Sequence, residues 1–256
     1  MNVVAIIQAR MSSNRLPGKV LLPLAGIPTL THVVSRIQSC KTVDKVVIAT
    51  STDPSDDTIQ IHCKESKFDL YRGSLLDVLD RYYHCAIATN ASTIVRITSD
   101  CPVIDPVVVD AVVTGFLAGD YDYYSLSGEF PDGLDCEVIS FSALEKAWGN
   151  SILPSEREHV CPYIHTSHKS KFKTGGLELF TGLQHMRWTL DEPNDYELLK
   201  RIYSSLYKPG EIFLTNDILV EFQKNPEWVN INQAISRNAG YHKSLVQDEV
   251  FLKSNH

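Results

Sequence analysis

The chain opens with an apolar run and a cationic loop, which read Val3-Val4-Ala5-Ile6-Ile7 and then Gln8-Ala9-Arg10-Met11-Ser12-Ser13-Asn14-Arg15-Leu16-Pro17-Gly18-Lys19. The run is short and β-branched, as is typical of a buried strand. Apolar residues then recur at helical spacing, at Leu30, Val33, Val34 and Ile37. The segment predicts a strand, a loop at its carboxyl end and a helix, which together form the first unit of a parallel α/β sheet.

The same alternation continues along the chain. Strand-like runs occur at 45–49, 93–97 and 121–125, with helical spacing between them. Further strands are predicted at 134–139, 175–180 and 186–190, and further helices from Ser155, from Pro193 and over 216–222. Because each helix connects two strands, we expect right-handed crossovers and a mostly parallel sheet that is covered on both faces.

Composition excludes several classes of protein. The 256 residues include 24 basic and 31 acidic side chains, a net charge of −7, which disfavours general nucleic-acid binding. No apolar run approaches the roughly 20 residues that a membrane span requires, so we expect no membrane insertion. Six cysteines without a C-x-x-C motif and the absence of a basic leader favour free thiols and a cytoplasmic location.

The first loop indicates the chemistry. Arg10, Arg15 and Lys19 fall within ten residues with no acid among them, in an acidic chain. Ligands of open parallel sheets bind outside the carboxyl ends of the strands, and cations with exposed N–H groups suit a polyphosphate. The loop matches neither the G-x-x-x-x-G-K-[ST] nor the G-x-G-x-x-G pattern, so it disfavours P-loop kinases and dinucleotide-binding enzymes.

The stretch from Ala9 to Lys19 resembles the signature loop of the sugar cytidylyltransferases, which make CMP-activated acidic sugars. Further stretches resemble the spore-coat polysaccharide biosynthesis protein F branch of that family, namely 72–79, 98–102, 132–137 and 154–159. The resemblance extends to about residue 245. It implies a Rossmann-like three-layer α/β/α nucleotide-diphospho-sugar transferase fold.

The resemblance also implies an activity, a cofactor and a division of the chain. It implies transfer of CMP from CTP to an acidic sugar or related acceptor, with Mg²⁺ as the cofactor, release of pyrophosphate and a possible homodimer. Residues 1–245 would form one domain, with a nucleotide-binding half in 1–125 and a sugar-binding, metal-completing half in 126–245. We expect a flexible tail in 246–256.

The residues implied for each role are as follows. The catalytic residues are Arg10, Lys19 and Asp100. The nucleotide-binding residues are Ala9, Arg10, Ser12, Ser13, Arg15, Lys19, Thr52, Arg72, Asp77 and Ser99. The sugar-binding residues are Asp132, Asp135, Glu137, Arg157, Glu158 and His159. The metal-binding residues are Asp100 and Asp191.

Several of these assignments have alternatives. Asp100 and Asp191 each precede a proline closely enough to be simple caps, and Asp195 is an alternative metal ligand. Asp77 could pair with Arg81 four residues on, and Glu158 could complete a capping box with Ser155. A glycosyltransferase of the same fold and a non-catalytic nucleotide-binding partner are the alternative functions.

Overall fold

The computed structural model describes residues 2–254. The strands are β1 Val3–Gln8, β2 Pro23–Leu24, β3 Ile27–Pro28, β4 Lys45–Ser51, β5 Leu70–Gly73, β6 Thr93–Thr98, β7 Tyr123–Ser127, β8 Glu137–Ser140 and β9 Thr174–Glu178. The α-helices are α1 Thr29–Gln38, α2 Asp57–Ser66, α3 Val78–Ala88, α4 Pro106–Ala118, α5 Phe141–Asn150, α6 Pro154–His159, α7 Pro193–Leu206, α8 Thr215–Lys224 and α9 Ala239–Ser254. None of these helices is long and apolar enough to cross a membrane.

A seven-stranded sheet forms the centre of the fold, with strand order β5-β4-β1-β6-β8-β7-β9. Strand β1 lies between β4 and β6 and is parallel to both. Only β8 runs against its neighbours, because it pairs antiparallel with β6 and with β7. The prediction of a mostly parallel sheet is therefore confirmed.

Helices cover both faces of this sheet. Along β6, Val95 and Ile97 pack with α1, α4 and α7 on one face, whereas Ile94 packs with α3 and α5 on the other. Successive side chains of a strand point to opposite faces, so a doubly covered strand must be apolar almost throughout. The predicted three-layer α/β/α architecture is confirmed.

In the second half, one predicted strand was wrong, and a helix predicted correctly near Ser155 has a different cap from the one expected. Residues 186–190 form no strand, since their only ladder contact is an isolated bridge between Asp132 and Arg187. Residues 187–190 are buried nevertheless, and Trp188 N donates to Asp132 O at 2.6 Å. The helix expected to open at Ser155 begins at Pro154, and Glu156 rather than Glu158 accepts from the backbone at its start.

The end of the chain also differs from the prediction. Residues 246–254, expected as part of a flexible tail, belong to helix α9. Ser244 and Asp248 are buried against α6, and Asp248 Oδ1 accepts a hydrogen bond of 2.8 Å from Ser155 N. Polar contacts therefore anchor a helix that shows no apolar face. The last two residues of the predicted tail, 255 and 256, lie outside the described residues.

Candidate active site

A cavity of about 570 Å³ opens at the carboxyl ends of the parallel strands. Its walls come from the loop after β1, the end of β6, residues 187–191 and the start of α9. This is the edge at which open α/β sheets bind ligands, and the volume suits a small molecule.

Lys19 lines this cavity and contacts two of its acids. Gly18 precedes it with a φ of 70°, a left-handed conformation that glycine adopts readily, and a short 3₁₀ turn at Lys19–Leu21 carries the side chain inward. The Nζ atom lies 2.9 Å from Asp100 Oδ2 and 2.7 Å from Asp191 Oδ1. Burial acts to lower the pKa of Lys19, but the two carboxylates outweigh burial and raise it. The ammonium group is therefore charged and bridges two acids from distant segments.

Hydrogen bonds to the backbone connect the segments that contain Asp100 and Asp191. Asp100 follows β6, and its carbonyl oxygen accepts hydrogen bonds from Leu190 N at 2.7 Å and from Thr189 Oγ1 at 3.1 Å. Burial acts to raise the pKa of Asp100, but Lys19 outweighs it and lowers the pKa to about 2. Asp100 is thus an ionised carboxylate held at a fixed position at the sheet edge.

Asp191 and Asp195 divide two roles between them. Asp195 is completely buried, and its carboxylate accepts from Asp191 N and Glu192 N at the start of α7. Arg187 donates to Asp195 through Nε at 2.9 Å and to Asp191 through Nη2 at 3.0 Å. Because Asp195 satisfies the helix start, the side chain of Asp191 is left to face the cavity. Asp195 does not line the cavity, which argues against it as the alternative metal ligand.

The acids that face this cavity fit a divalent cation shared with a ligand. No three His, Cys, Asp or Glu side chains between residues 2 and 254 converge as a ready-made metal site. Mg²⁺ usually takes only one or two carboxylates and completes its octahedron with phosphate oxygens and water. Asp100 and Asp191, which share the ammonium group of Lys19, supply that kind of donor set.

Most of the expected nucleotide-binding residues reach the cavity, but three do not. Those that line it are Ala9, Arg10, Ser12, Ser13, Arg15, Lys19 and Ser99. Thr52 is exposed outside it. Arg72 turns back onto the loop after β4 and donates from Nε to Ser51 O at 2.7 Å. Asp77 caps α3 by accepting from Asp80 N and lies 3.3 Å from Arg157, so the alternative pair with Arg81 does not form.

The expected sugar-side residues also divide into two groups. Asp132, Asp135, Glu158 and His159 line the cavity. Glu137 does not line the cavity but forms a part-buried ion pair with Arg96, and its Oε1 accepts from Tyr123 OH at 2.7 Å. Arg157 donates to Ser151 O at 3.0 Å, away from the cavity.

Two environments on this side are distinctive. Burial, with the nearby charge of Asp135, raises the pKa of Asp132 to about 6, although Arg187 lies 2.6 Å away. The hydroxyl of Ser244 in α9 donates to Glu158 Oε2 at 2.7 Å and lies 3.0 Å from His159 Nε2. These two acids and this histidine are therefore held in place by a second layer of contacts.

Sequence reasoning missed several residues of the cavity wall. Those not expected are Arg81, Arg96, Thr98, Arg187, Tyr241, Lys243, Ser244 and Gln247. The spacing of Arg187 could have indicated that it pairs with Asp191, because Arg187 lies four residues before this expected metal ligand. Nothing in the pattern of α9 set its residues apart from an ordinary polar helix.

The fold and the cavity define an enzyme of the nucleotidyltransferase class, with a cationic loop after β1 and carboxylates from two segments beside it. A family model for cytidylyltransferases matches residues 4–220, and the chain therefore belongs to the cytidylyltransferase family. The match confirms the resemblance that the motifs carry.

Individual relatives agree with this assignment. The spore coat polysaccharide biosynthesis protein SpsF of Bacillus subtilis (strain 168) is 33% identical over 235 residues, which cover 88% of this chain and 96% of that protein. A cytidylyltransferase structure from Leptospira borgpetersenii serovar Hardjo-bovis is 34% identical, with a TM-score of 0.85 over 93% of this chain and 100% of that chain. The structure of CMP:2-keto-3-deoxy-manno-octonic acid synthetase complexed with CTP shares the fold, with a TM-score of 0.60 at 16% identity over 80% of this chain and 99% of that chain.

Proposed function

We propose that this chain transfers CMP from CTP to an acidic sugar or a related acceptor and releases pyrophosphate, with Mg²⁺ as cofactor, in the biosynthesis of a surface or spore-coat polysaccharide. The observation that carries the proposal is the meeting of Lys19 with Asp100 and Asp191 inside the cavity. The SpsF relative supports the polysaccharide context, and the synthetase of the same fold that binds CTP supports the nucleotide.

The cations of the first loop would hold the triphosphate. The side chains of Arg10 and Arg15 are 45% and 40% exposed; Arg10 lies 3.8 Å from Glu158 and Arg15 lies 3.1 Å from Asp191, so both guanidinium groups are within reach of a ligand in the cavity. Asp100 and Asp191 would hold Mg²⁺, which when bound supplies positive charge to the reacting and leaving phosphates. Lys19 would then exchange its carboxylate partners for an oxygen of the departing pyrophosphate.

The acceptor would lie between Asp132 and the pair Glu158–His159. In the reaction an acceptor oxygen forms a bond to the α-phosphorus while the bond to the β-phosphate oxygen breaks. A carboxylate with a pKa of about 6 is a better proton acceptor than an ordinary aspartate, so Asp132 is suited to take the proton of the attacking group.

The test is release of pyrophosphate from CTP, UTP, ATP and GTP with Mg²⁺ and a panel of acceptors that includes a nonulosonic and an octulosonic acid. We expect release that requires CTP and one class of acceptor. Release of a nucleotide from a nucleotide sugar without pyrophosphate would instead identify a glycosyltransferase. Binding of CTP with no turnover on the whole panel would favour a non-catalytic role.

A further inference from the structure

The cations that line the cavity differ in how they are paired. Most of them lie within 4.0 Å of a carboxylate, namely Arg10, Arg15, Lys19, Arg96 and Arg187. Arg81 has no such partner, but it is only 1% exposed and a ligand cannot reach it. Lys243 in α9 also lies within 4.0 Å of no carboxylate among residues 2–254, and its side chain is exposed. A ligand can therefore meet its ammonium group without displacing an acid of the protein.

Helical spacing places Lys243 beside the end of the cavity that contains Glu158. The next residue, Ser244, turns inward and donates to Glu158 Oε2 at 2.7 Å. Gly240, Lys243 and Gln247 are three and four positions apart, so they form one row along the helix, and all of them line the cavity. The row that contains Lys243 is thus the neighbour of the row that docks on Glu158.

The proposed acceptor is acidic, and so is the wall around it. The proposed function places the acceptor between Asp132 and Glu158, which both line the cavity. Arg10 lies 3.8 Å from Glu158, but the proposed function assigns Arg10 to the triphosphate. Like charges repel more strongly where protein replaces water. An acceptor carboxylate at this place therefore needs another cation.

The other cations near this end bind groups of the protein. Arg157, which was expected on the sugar side, donates to Ser151 O and does not line the cavity. Arg96 and Arg187 are each paired with carboxylates of the chain. Lys243 is left as a cation for the acceptor.

We infer that Lys243 selects acceptors that carry a negative charge, by pairing with the carboxylate group of the acceptor. The inference rests on the proposed function and adds a specificity-determining residue to it. The match to the cytidylyltransferase family ends at residue 220, so this residue lies outside the segment that the family shares.

The experiment measures pyrophosphate release at saturating CTP and Mg²⁺, with the nonulosonic and the octulosonic acid as free acids and as methyl esters. It compares the wild type with Lys243→Met, Lys243→Arg and the control Lys253→Met. Lys253 is an exposed lysine of the same helix that does not line the cavity. Because both lysines are exposed, we expect every variant to fold.

Lys243→Met should raise the KM for the acid about 10-fold, as for loss of a hydrogen bond between charged groups. The KM for the ester and the Kd for CTP should stay the same. Lys243→Arg keeps the charge and should keep a KM close to that of the wild type, as should Lys253→Met. Salt screens an exposed ion pair, so added salt should raise the KM of the wild type for the acid but not that of Lys243→Met.

Each other outcome has a definite meaning. A wild type that releases pyrophosphate with no acceptor of the panel refutes the proposed function itself. A wild type that uses the acid and the ester equally well, or uses neutral acceptors alone, overturns this inference and leaves transfer of CMP standing. The inference is also overturned if Lys243→Met keeps the wild-type KM for the acid. An equal rise in the KM for acid and ester, or a higher Kd for CTP, would give Lys243 a different role and overturns it as well.

Discussion

Replacing Lys19 by methionine tests whether its ammonium group holds the two cavity carboxylates together. Lys19→Met keeps the length of the side chain and removes a charge 2.9 Å from Asp100 and 2.7 Å from Asp191. Asp191 retains Arg15 at 3.1 Å and Arg187 at 3.0 Å. Asp100 retains no cation within 4.0 Å in the part of the chain that the structure describes, so the loss falls on Asp100.

The size of the effect follows from the pKa of Asp100. Burial acts to raise this pKa, but Lys19 lowers it from 3.8 to about 2. A carboxyl group with a lowered pKa stabilises the fold above its unfolded pKa, and that stability disappears as the pH falls through its folded pKa. The shift corresponds to about 2 kcal/mol at neutral pH. For a chain of this size we expect the melting temperature to fall by about 4–8 °C.

Thermal unfolding of the wild type and of Lys19→Met, at several pH values and with or without Mg²⁺, measures this effect. The difference in melting temperature between the two proteins should have its full size at pH 7 and should decrease to zero between about pH 4 and pH 2. Mg²⁺ should raise the melting temperature of the variant more than that of the wild type, because the ion can take the place of the ammonium group. Turnover should fall about 10²–10³-fold.

The matched control is Lys243→Met. Lys243 lines the same cavity but lies within 4.0 Å of no carboxylate among residues 2–254, so this variant should melt like the wild type at every pH. The reasoning fails if Lys19→Met also melts like the wild type at pH 7 and responds to Mg²⁺ to the same extent. That result would mean that Asp100 and Asp191 do not form an ion site.

Three further predictions concern the surroundings of this pair. Asp195→Asn removes a fully buried partner of Arg187, which keeps Asp132 and Asp191, and should cost about 1.5–3 kcal/mol in chemical denaturation, as for the loss of a hydrogen bond to a charged group. Ser244→Ala removes the contact that holds Glu158, so we expect a higher KM for the acceptor with an unchanged Kd for CTP, which steady-state kinetics and calorimetry would separate. Burial raises the pKa of Asp132 to about 6, so between about pH 6 and pH 4 the folded chain binds a proton that the unfolded chain does not. Lowering the pH from 7 to 4.5 should therefore stabilise the wild type relative to Asp132→Asn by about 2 kcal/mol. Urea unfolding of both proteins at the two pH values measures this difference.

The sequence predicted the part of the site that depends on topology. Lys19 and Asp100 follow strands that run in the same direction, so both residues had to reach one edge of the sheet. The motif resemblance added Asp191, although it could not show that Asp195 caps the start of α7 and that the side chain of Asp191 therefore faces the cavity.

The sequence did not predict the directions of side chains. Arg72 and Asp77 lie at the correct edge, but local backbone groups and Arg157 bind them outside the cavity. Residues 186–190 alternate like a strand, yet backbone bonds to Asp132 and to Asp100 bury them without a ladder. The partners that these side chains and backbone groups bind depend on which polar group is nearest in space, and sequence spacing does not contain that information.

Helix α9 was missed for a different reason. Val246 and Val250 of this helix are exposed, whereas Ser244 and Asp248, four positions apart, are its buried residues. The usual relation between hydrophobic period and packing is therefore inverted in this helix. A search for an apolar face cannot detect a helix that docks through polar side chains.

The docking of α9 has a consequence for how such enzymes diversify. The cytidylyltransferase match ends at residue 220, so the wall that contains Tyr241, Ser244 and Gln247 comes from outside the matched core. Substitutions there would change the part of the cavity beside Glu158 without changing the loop after β1. With the acceptor placed beside Glu158 as proposed, we expect a chimaera that exchanges only this helix between two relatives to change the acceptor preference, and the preference would stay the same if α9 serves the fold alone.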